Sequence, residues 1–354
     1  MPARIETMSN VAVFNTIRSA MSEDFRDRIP EATAENIKDV GTMITSAEFK
    51  TQFNEWLPAL INRIGLVLFT DYTLSNPLSY LIYGNMSFGD AIEEIALDIV
   101  KGAPMDYGVD GQSIDPFVKN TNQPKAEYHR IDEPIQYNTT IERDRIKRAF
   151  LAEGGLMRYL AMVVNKLYSS ANVDTWTLTK MIMADYITDV KNGTMPLLAT
   201  QKQTVDDVID EASSKAFIKS VKNIADSMSF PQNLYNPQKI HKTLNNNQLT
   251  LFVRYDILNT IGVDALASAF HDNELAMPVR IQKMDDFGTP STTGQNTDNV
   301  LAVLAEDNWL IITQQFEDMD TIYNPRGRYD NYFLTRQMSF GCSYFKDCVI
   351  FSKR

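Results

Sequence analysis

The chain has 354 residues, 44% hydrophobic and 22% charged, with a net charge of −11 and a pI of about 4.9. This is the composition of a folded, soluble protein with room for about two domains. The acidic balance argues against a dedicated nucleic-acid binder, which needs a basic face. The N-terminal stretch offers only "VAVF" as an apolar run, and "WLPALINRIGLVLF" is interrupted by Asn62 and Arg63. Neither a signal peptide nor a membrane span is read, and the expected setting is cytoplasm-like.

Residues 1–87 read as short helices joined by polar links. Ser46 is placed to cap a helix carrying Phe49, Phe53 and Trp56, and Pro58 starts or kinks the next. "FGDAIEEIALDIV" is ambiguous: Ile92, Ile95, Ala96 and Ile99 fit a helix, whereas Ile95, Leu97 and Ile99 fit a strand. Periodicity alone favours helix. A long Pro/Gly-rich segment follows, punctuated by Gly102, Pro104, Gly108, Gly111, Pro116 and Pro124; loops of that length are usually functional.

"EYHRIDEPIQYNTTIERDRIKRAFL" then changes rhythm. Ile131, Ile135, Tyr137 and Ile141 share one side of a strand, and from Thr139 the pattern turns helical. Thr139 and Glu142 have capping-box spacing, with Ile146, Ala149 and Phe150 forming a stripe. A helix follows with Leu156, Leu160, Val163, Val164 and Leu167 on one face. A second, near Thr175 to Lys191, carries Leu178, Ile182, Tyr186 and Val190, is capped by Asn172 or Asp174, and is stopped by Gly193 and Pro196.

From about residue 205 the pattern is α/β. A helix with Ala216, Phe217, Val221 and Ile224 leads into the loop "NLYNPQKIHKTLNNNQ", then the strand "LTLFV". Asp256 can cap a helix to about Phe270, followed by the strand "PVRIQKM" and the polar loop "TPSTTGQNTDN". The last fifty-five residues are mostly strand: "VLAVLA", a turn at Glu306 to Asn308, "WLIITQQF", a turn at "NPRGR", "NYFLTRQMSFGCSYF" and "CVIF".

No catalytic constellation emerges. "DDFG" at 285–288 contains a kinase triplet without the rest of the kinase set, and is read as chance. Glu317, Asp318 and Asp320 in "FEDMD" offer oxygen ligands, but a solvated acidic turn is the better reading. Cys342 and Cys348 read as small buried hydrophobes, and His129, His241 and His271 are too scattered to assemble a metal cluster. No cofactor is expected. Arg143, Arg145, Lys147 and Arg148 form a basic cluster, read either as a solvated helix face with an Asp144–Arg148 pair or as an inter-subunit contact.

Three segments carry a family resemblance: "SFGDAIEEIALDIVKG", "AEYHRIDEPIQYNTTIERDRIKRAF" and "DNWLIITQQFEDMDTIYNPRGRYDNYFLTRQ". Together with the order of elements over roughly residues 85 to 354, they resemble the major capsid proteins of tailed bacteriophages with the Hong Kong 97 phage fold. The likeness is greatest to those of small short-tailed phages of Gram-positive hosts.

The resemblance implies an α+β fold with a helical N-terminal arm region (1–87), an extended two-stranded E-loop (88–143) and a P-domain with a spine helix (144–204). An α/β A-domain (205–299) and A/P-domain return strands (300–354) complete it. It overrides the helix reading of 88–100 in favour of strand. Nothing near the C-terminus reads as the immunoglobulin-like domain of some relatives, and no lysine–asparagine crosslinking pair is matched.

The implied function is that of a non-enzymatic shell subunit. Hexamers and pentamers close into an icosahedral virion head around double-stranded DNA held by non-specific contact. Scaffolding and portal proteins are the implied partners, with no membrane involved and assembly in the host bacterial cytoplasm. An encapsulin-type nanocompartment enclosing cargo enzymes is the alternative. The acidic strand (Asp90, Glu93, Glu94, Asp98) meeting the basic cluster (Arg143, Arg145, Lys147, Arg148) across subunits is the candidate contact.

Overall fold

The computed structural model describes residues 10–46, 48–68, 74–85, 91–100, 102, 124–130, 134–142, 155–189, 196–261, 279–292 and 296–354. The chain forms two compact units.

The first unit takes Met1–Ser79, Glu133–Trp176 and Gln314–Met338. It opens with helices α1 (Asn10–Ser19), α2 (Glu23–Arg28), α3 (Ile37–Ile44) and α4 (Lys50–Leu68). The apolar stripe of α1 buries Val13, Phe14 and Ile17. Ser22 caps α2 by accepting from the Phe25 N–H, at 3.3 Å. Phe14 and Phe53 both pack on Trp56, with ring centroids 5.7 and 6.1 Å away. Pro58 starts no new helix, because α4 runs through it without a break.

Strand β4 (Ile135–Glu142) joins this unit, following β1 (Ile82–Asn85), β2 (Ala91–Ala96) and β3 (Lys125–Arg130) in the chain. It pairs antiparallel with β10 (Tyr329–Cys342), from Glu142 opposite Tyr329 to Ile135 opposite Arg336. Tyr137, Thr139 and Ile141 turn inwards in strand alternation, and Ile141 enters the core with Tyr332 and Leu334. Thr139 is therefore a ladder residue opposite Tyr332, and the expected capping box at Thr139 does not form. Pairing with β10 keeps the backbone extended through Glu142. The helical stripe at Ile146, Ala149 and Phe150 lies outside the described residues.

Helix α5 (Gly155–Ile187) is continuous over 33 residues, about 50 Å at 1.5 Å per residue. Two helices were expected there. Asn172 does not cap a second one: its amide donates to the Leu74 carbonyl, at 3.1 Å. Thr175 bonds back to the Ala171 carbonyl at 2.7 Å, leaving the helical ladder intact. The helix ends before Gly193, where Asp189 adopts φ 60°.

The second unit takes Tyr80–Asp132, Thr177–Thr313 and Ser339–Arg354. Its elements include β5 (Lys202–Val205), α6 (Glu211–Met228), β6 (Leu249–Arg254), α7 (Tyr255–Ile261) and β7 (Arg280–Met284). They continue with β8 (Val300–Glu306), β9 (Leu310–Asn324) and β11 (Cys348–Lys353), β9 and β10 supplying residues to both units. Five strands form one sheet in the order β5-β11-β8-β6-β7. β11 runs parallel to β5 and β6 parallel to β7, while β8 is antiparallel to both its neighbours. All seven residues of β8 are buried, as its unbroken apolar run requires. Asp210 caps α6, whose Phe217 meets Phe351 of β11 edge to face at 5.8 Å.

"FEDMD" lies within β9, not in a turn, and Arg336 donates from Nε and a terminal nitrogen to Glu317 Oε2 at 2.7 and 2.6 Å. Asp285 and Asp286 of "DDFG" hold Lys180 Nζ at 2.8 and 3.0 Å. Gly288 follows at φ 78°, where an added Cβ would lie 2.6 Å from the Lys180 carbonyl oxygen. Both cysteines are buried, and neither is in a disulfide.

Candidate assembly surface

β2 and β3 form an antiparallel two-stranded ribbon: Ala91 faces Arg130, Glu93 faces Tyr128 and Ala96 faces Lys125. Strand alternation sorts its side chains into two faces. The outward face exposes Ile95 (59%) and Tyr128 (61%), and past the strand Leu97 (61%), Ile99 and Val100 are exposed as well. This is the strand phase of Ile95, Leu97 and Ile99, so the helical reading of 88–100 is set aside for residues 91–96. The inward face carries Ile92, Glu94, Glu127 and His129.

Two polar ties hold the far end of the ribbon to the loop after α6. Asp98 Oδ1 accepts from the His241 backbone N–H at 3.1 Å and sits 2.9 Å from His241 Nδ1. These bonds hold the Asp98 carboxyl at about 2, below its ordinary range. Lys125 Nζ donates to the Gln238 carbonyl. The receiving loop is itself anchored: Asp347 accepts from Asn236 at 2.7 Å and from Gln232 at 2.8 Å. Burial pushes the Asp347 carboxyl up against the pull of those donors. Beside it, Glu306 receives Lys242 at 2.9 Å and Lys346 at 2.6 Å.

The residues expected at a subunit contact are distributed as follows. Glu93 accepts from the Tyr128 hydroxyl at 2.8 Å on the outward face, Glu94 points inwards, and Asp98 is engaged by His241. Asp90, Arg143, Arg145, Lys147 and Arg148 lie outside the described residues. The sequence reading missed the grouping of Glu94, Glu127 and His129, whose side-chain oxygens and ring nitrogen lie within 4.8 Å of one another. Two acid- or histidine-bearing strands with i, i+2 spacing were the available signal, but only the register joins them.

Residues 14–352 match the Phi29-like phage major capsid protein family. The chain belongs to the Phi29-like phage major capsid protein family. It is 30% identical over 342 residues to the major capsid protein of Bacillus phage B103, covering 96% of this chain and 72% of that protein. It is 28% identical over 346 residues to that of Bacillus phage PZA, with 96% and 72% covered. The capsid structure of Staphylococcus phage Andhra superposes with a TM-score of 0.62 at 14% identity, covering 80% of this chain and 86% of that one.

The Phi29-like assignment makes this a virion capsid component with the α+β capsid fold of the Hong Kong 97 type. It extends the likeness from the expected region beyond residue 85 back to Phe14, into the core of the first unit. It also decides between the two shell readings in favour of the phage, and nothing supports the nanocompartment alternative. Among the described residues, no helix is long and apolar enough to cross a membrane.

Proposed function

We propose that this capsid protein builds an icosahedral head from hexamers and pentamers, with the β2–β3 ribbon of each subunit laid on a neighbour. The observation that carries this reading is the apolar surface of Ile95 and Tyr128 on the outward ribbon face and of Leu97, Ile99 and Val100 just past it, exposed within the single chain. A two-stranded ribbon is marginal in water by itself, and burying its apolar face on a second subunit supplies the missing stabilisation. Many such modest contacts add up in a closed assembly.

The layout of arm (1–87), E-loop (88–143), P-domain (144–204), A-domain (205–299) and return strands (300–354) belongs to the same proposal, with β4 serving the sheet that carries β10. The work is structural and not catalytic. A net charge of −11 suits an inner wall that encloses double-stranded DNA through non-specific contacts without gripping it. Scaffolding and portal proteins are the expected partners. Of the acidic strand Asp90, Glu93, Glu94 and Asp98, the structure turns Glu94 inwards and engages Asp98 with His241, so the pairing proposed with Arg143, Arg145, Lys147 and Arg148 across subunits rests on Asp90 and Glu93. Reversing charge at Arg145 and Arg148 then weakens assembly more than subunit folding; equal loss of both sinks that pairing.

The deciding test is sedimentation and negative-stain electron microscopy of the protein, alone and co-expressed with its neighbouring genes, beside the double variant Ile95→Ser/Leu97→Ser. Uniform hollow shells are expected from the natural sequence, and small particles of unchanged thermal stability from the variant. Shells formed equally well by the variant would remove the ribbon from the interface.

A further inference from the structure

The inward face of the ribbon holds a combination that hydrogen bonding within the chain leaves incomplete. Glu94 and Glu127 stand directly opposite each other across β2 and β3, and like charges in that position destabilise a strand pair. His129, opposite Ile92, lies diagonal to Glu94, with its side chain only 6% exposed. His129 Nε2 and Glu94 Oε2 are 3.6 Å apart, and neither has a hydrogen-bond partner within reach. Lys346 is committed to Glu306 at 2.6 Å.

We infer that Glu94, Glu127 and His129 form a site for a divalent transition-metal cation of the zinc class. Ligand bonds of about 2.0–2.2 Å in a tetrahedron place ligand atoms roughly 3.3–3.6 Å apart, the separation already found between Nε2 and Oε2. The third ligand atom lies within the 4.8 Å span of the group. One imidazole with two carboxylates suits zinc, cobalt or manganese, whereas magnesium and calcium favour oxygen ligands alone.

The surroundings support the ligands as an outer shell would. The Tyr344 N–H donates to Glu127 Oε2 at 3.1 Å, orienting that carboxylate. Gly341 lets the imidazole in: a Cβ there would lie 2.5 Å from His129 Nδ1. A cleft of about 340 Å³, lined by Glu127, His129, Asp185 and Tyr344 among others, adjoins two of the three ligands. Bound metal would neutralise the facing carboxylates and clamp β2 to β3 at the ribbon base.

The test uses the untagged, full-length protein, stripped with EDTA and exchanged into metal-free buffer. Titration with ZnCl2 in a calorimeter should show one equivalent bound, and CoCl2 should give visible d–d bands of a tetrahedral complex. Excess MgCl2 should displace neither. Glu94→Gln keeps the side-chain shape and should weaken binding by more than about tenfold. Hydrogen exchange of the natural protein should slow at 91–96 and 125–130 when Zn2+ is added, a readout independent of any variant's folding. Absence of stoichiometric binding, binding untouched by Glu94→Gln, or binding without protection of those amides would each overturn the assignment.

Discussion

In the five-stranded sheet, β8 is flanked on both edges, and each of its residues from Val300 to Glu306 is buried. In the ribbon, β2 has one neighbour among the described residues, and Ile95 on its outward face is more than half exposed. The first arrangement satisfies its backbone and apolar surface within one chain. The second satisfies half of each. Strands of similar length thus do different work: the sheet stabilises the subunit, and the ribbon's unspent apolar face is available for assembly.

The largest expected effect comes from breaking the sheet's own core. Phe351 is fully buried against Phe217, and Phe351→Ala should cost about 3–5 kcal/mol through lost burial and the cavity left behind. Urea unfolding of the subunit would measure it, and a loss below about 1 kcal/mol would mean the core is not where the stability lies.

A middle-sized effect is expected where sheet and ribbon are joined through the loop after α6. Asp347→Ala leaves the buried amide of Asn236 without its carboxylate, which should cost about 1–3 kcal/mol. Because that loop receives Asp98 and Lys125, amide exchange should also quicken in β2 and β3. Faster exchange confined to the loop would show that the ribbon end is held independently.

The ribbon variant Ile95→Ser/Leu97→Ser sharpens the comparison from the other side. Both side chains are exposed in the subunit, so unfolding stability should change by no more than about 0.5 kcal/mol per site while shell yield falls. A large loss of subunit stability would mean these residues already pack within their own chain.

What could be read from the sequence follows the same division. Fully buried strands such as β6, β8 and β11 announce themselves as short apolar runs between turn residues, and the "NPRGR" turn carries its own chemistry: Asn324 Oδ1 accepts from the N–H groups of Arg326 and Gly327. The ribbon does not announce itself, because Ile92, Ile95, Ala96 and Ile99 satisfy helical spacing while Ile95, Leu97 and Ile99 satisfy strand spacing. Family resemblance, not periodicity, gave the right answer there. Long-range register was illegible too. Nothing local tells β4 that its partner is β10, nearly two hundred residues on, so the Thr139 cap looked plausible. The unbroken α5 was hidden by Asn172, a candidate cap whose side chain found another partner in the helix context. The Glu94–Glu127–His129 group needed the same register information, since its members come from strands separated by a long intervening segment.

The smallest expected effect concerns the tie between Asp98 and His241. Hydrogen bonds from the His241 ring and backbone hold the Asp98 carboxyl at about 2, below the ordinary aspartate value. A carboxyl lowered on folding stabilises the folded state above its unfolded-state pKa, and that contribution fades as pH falls through the folded value. The tie should therefore be intact above about pH 4 and lost progressively down to about pH 2. The group is exposed, so the effect on global stability is screened and small, and its signature is local. NMR titration of the Asp98 side-chain carbonyl should show a midpoint well below that of an unpaired aspartate, moving back towards the ordinary value in His241→Ala, where the ring is lost and the backbone donor remains. An unshifted midpoint in the natural protein would detach the ribbon end from its loop and leave the inward face, with Glu94, Glu127 and His129, as the ribbon's main hold on its own subunit.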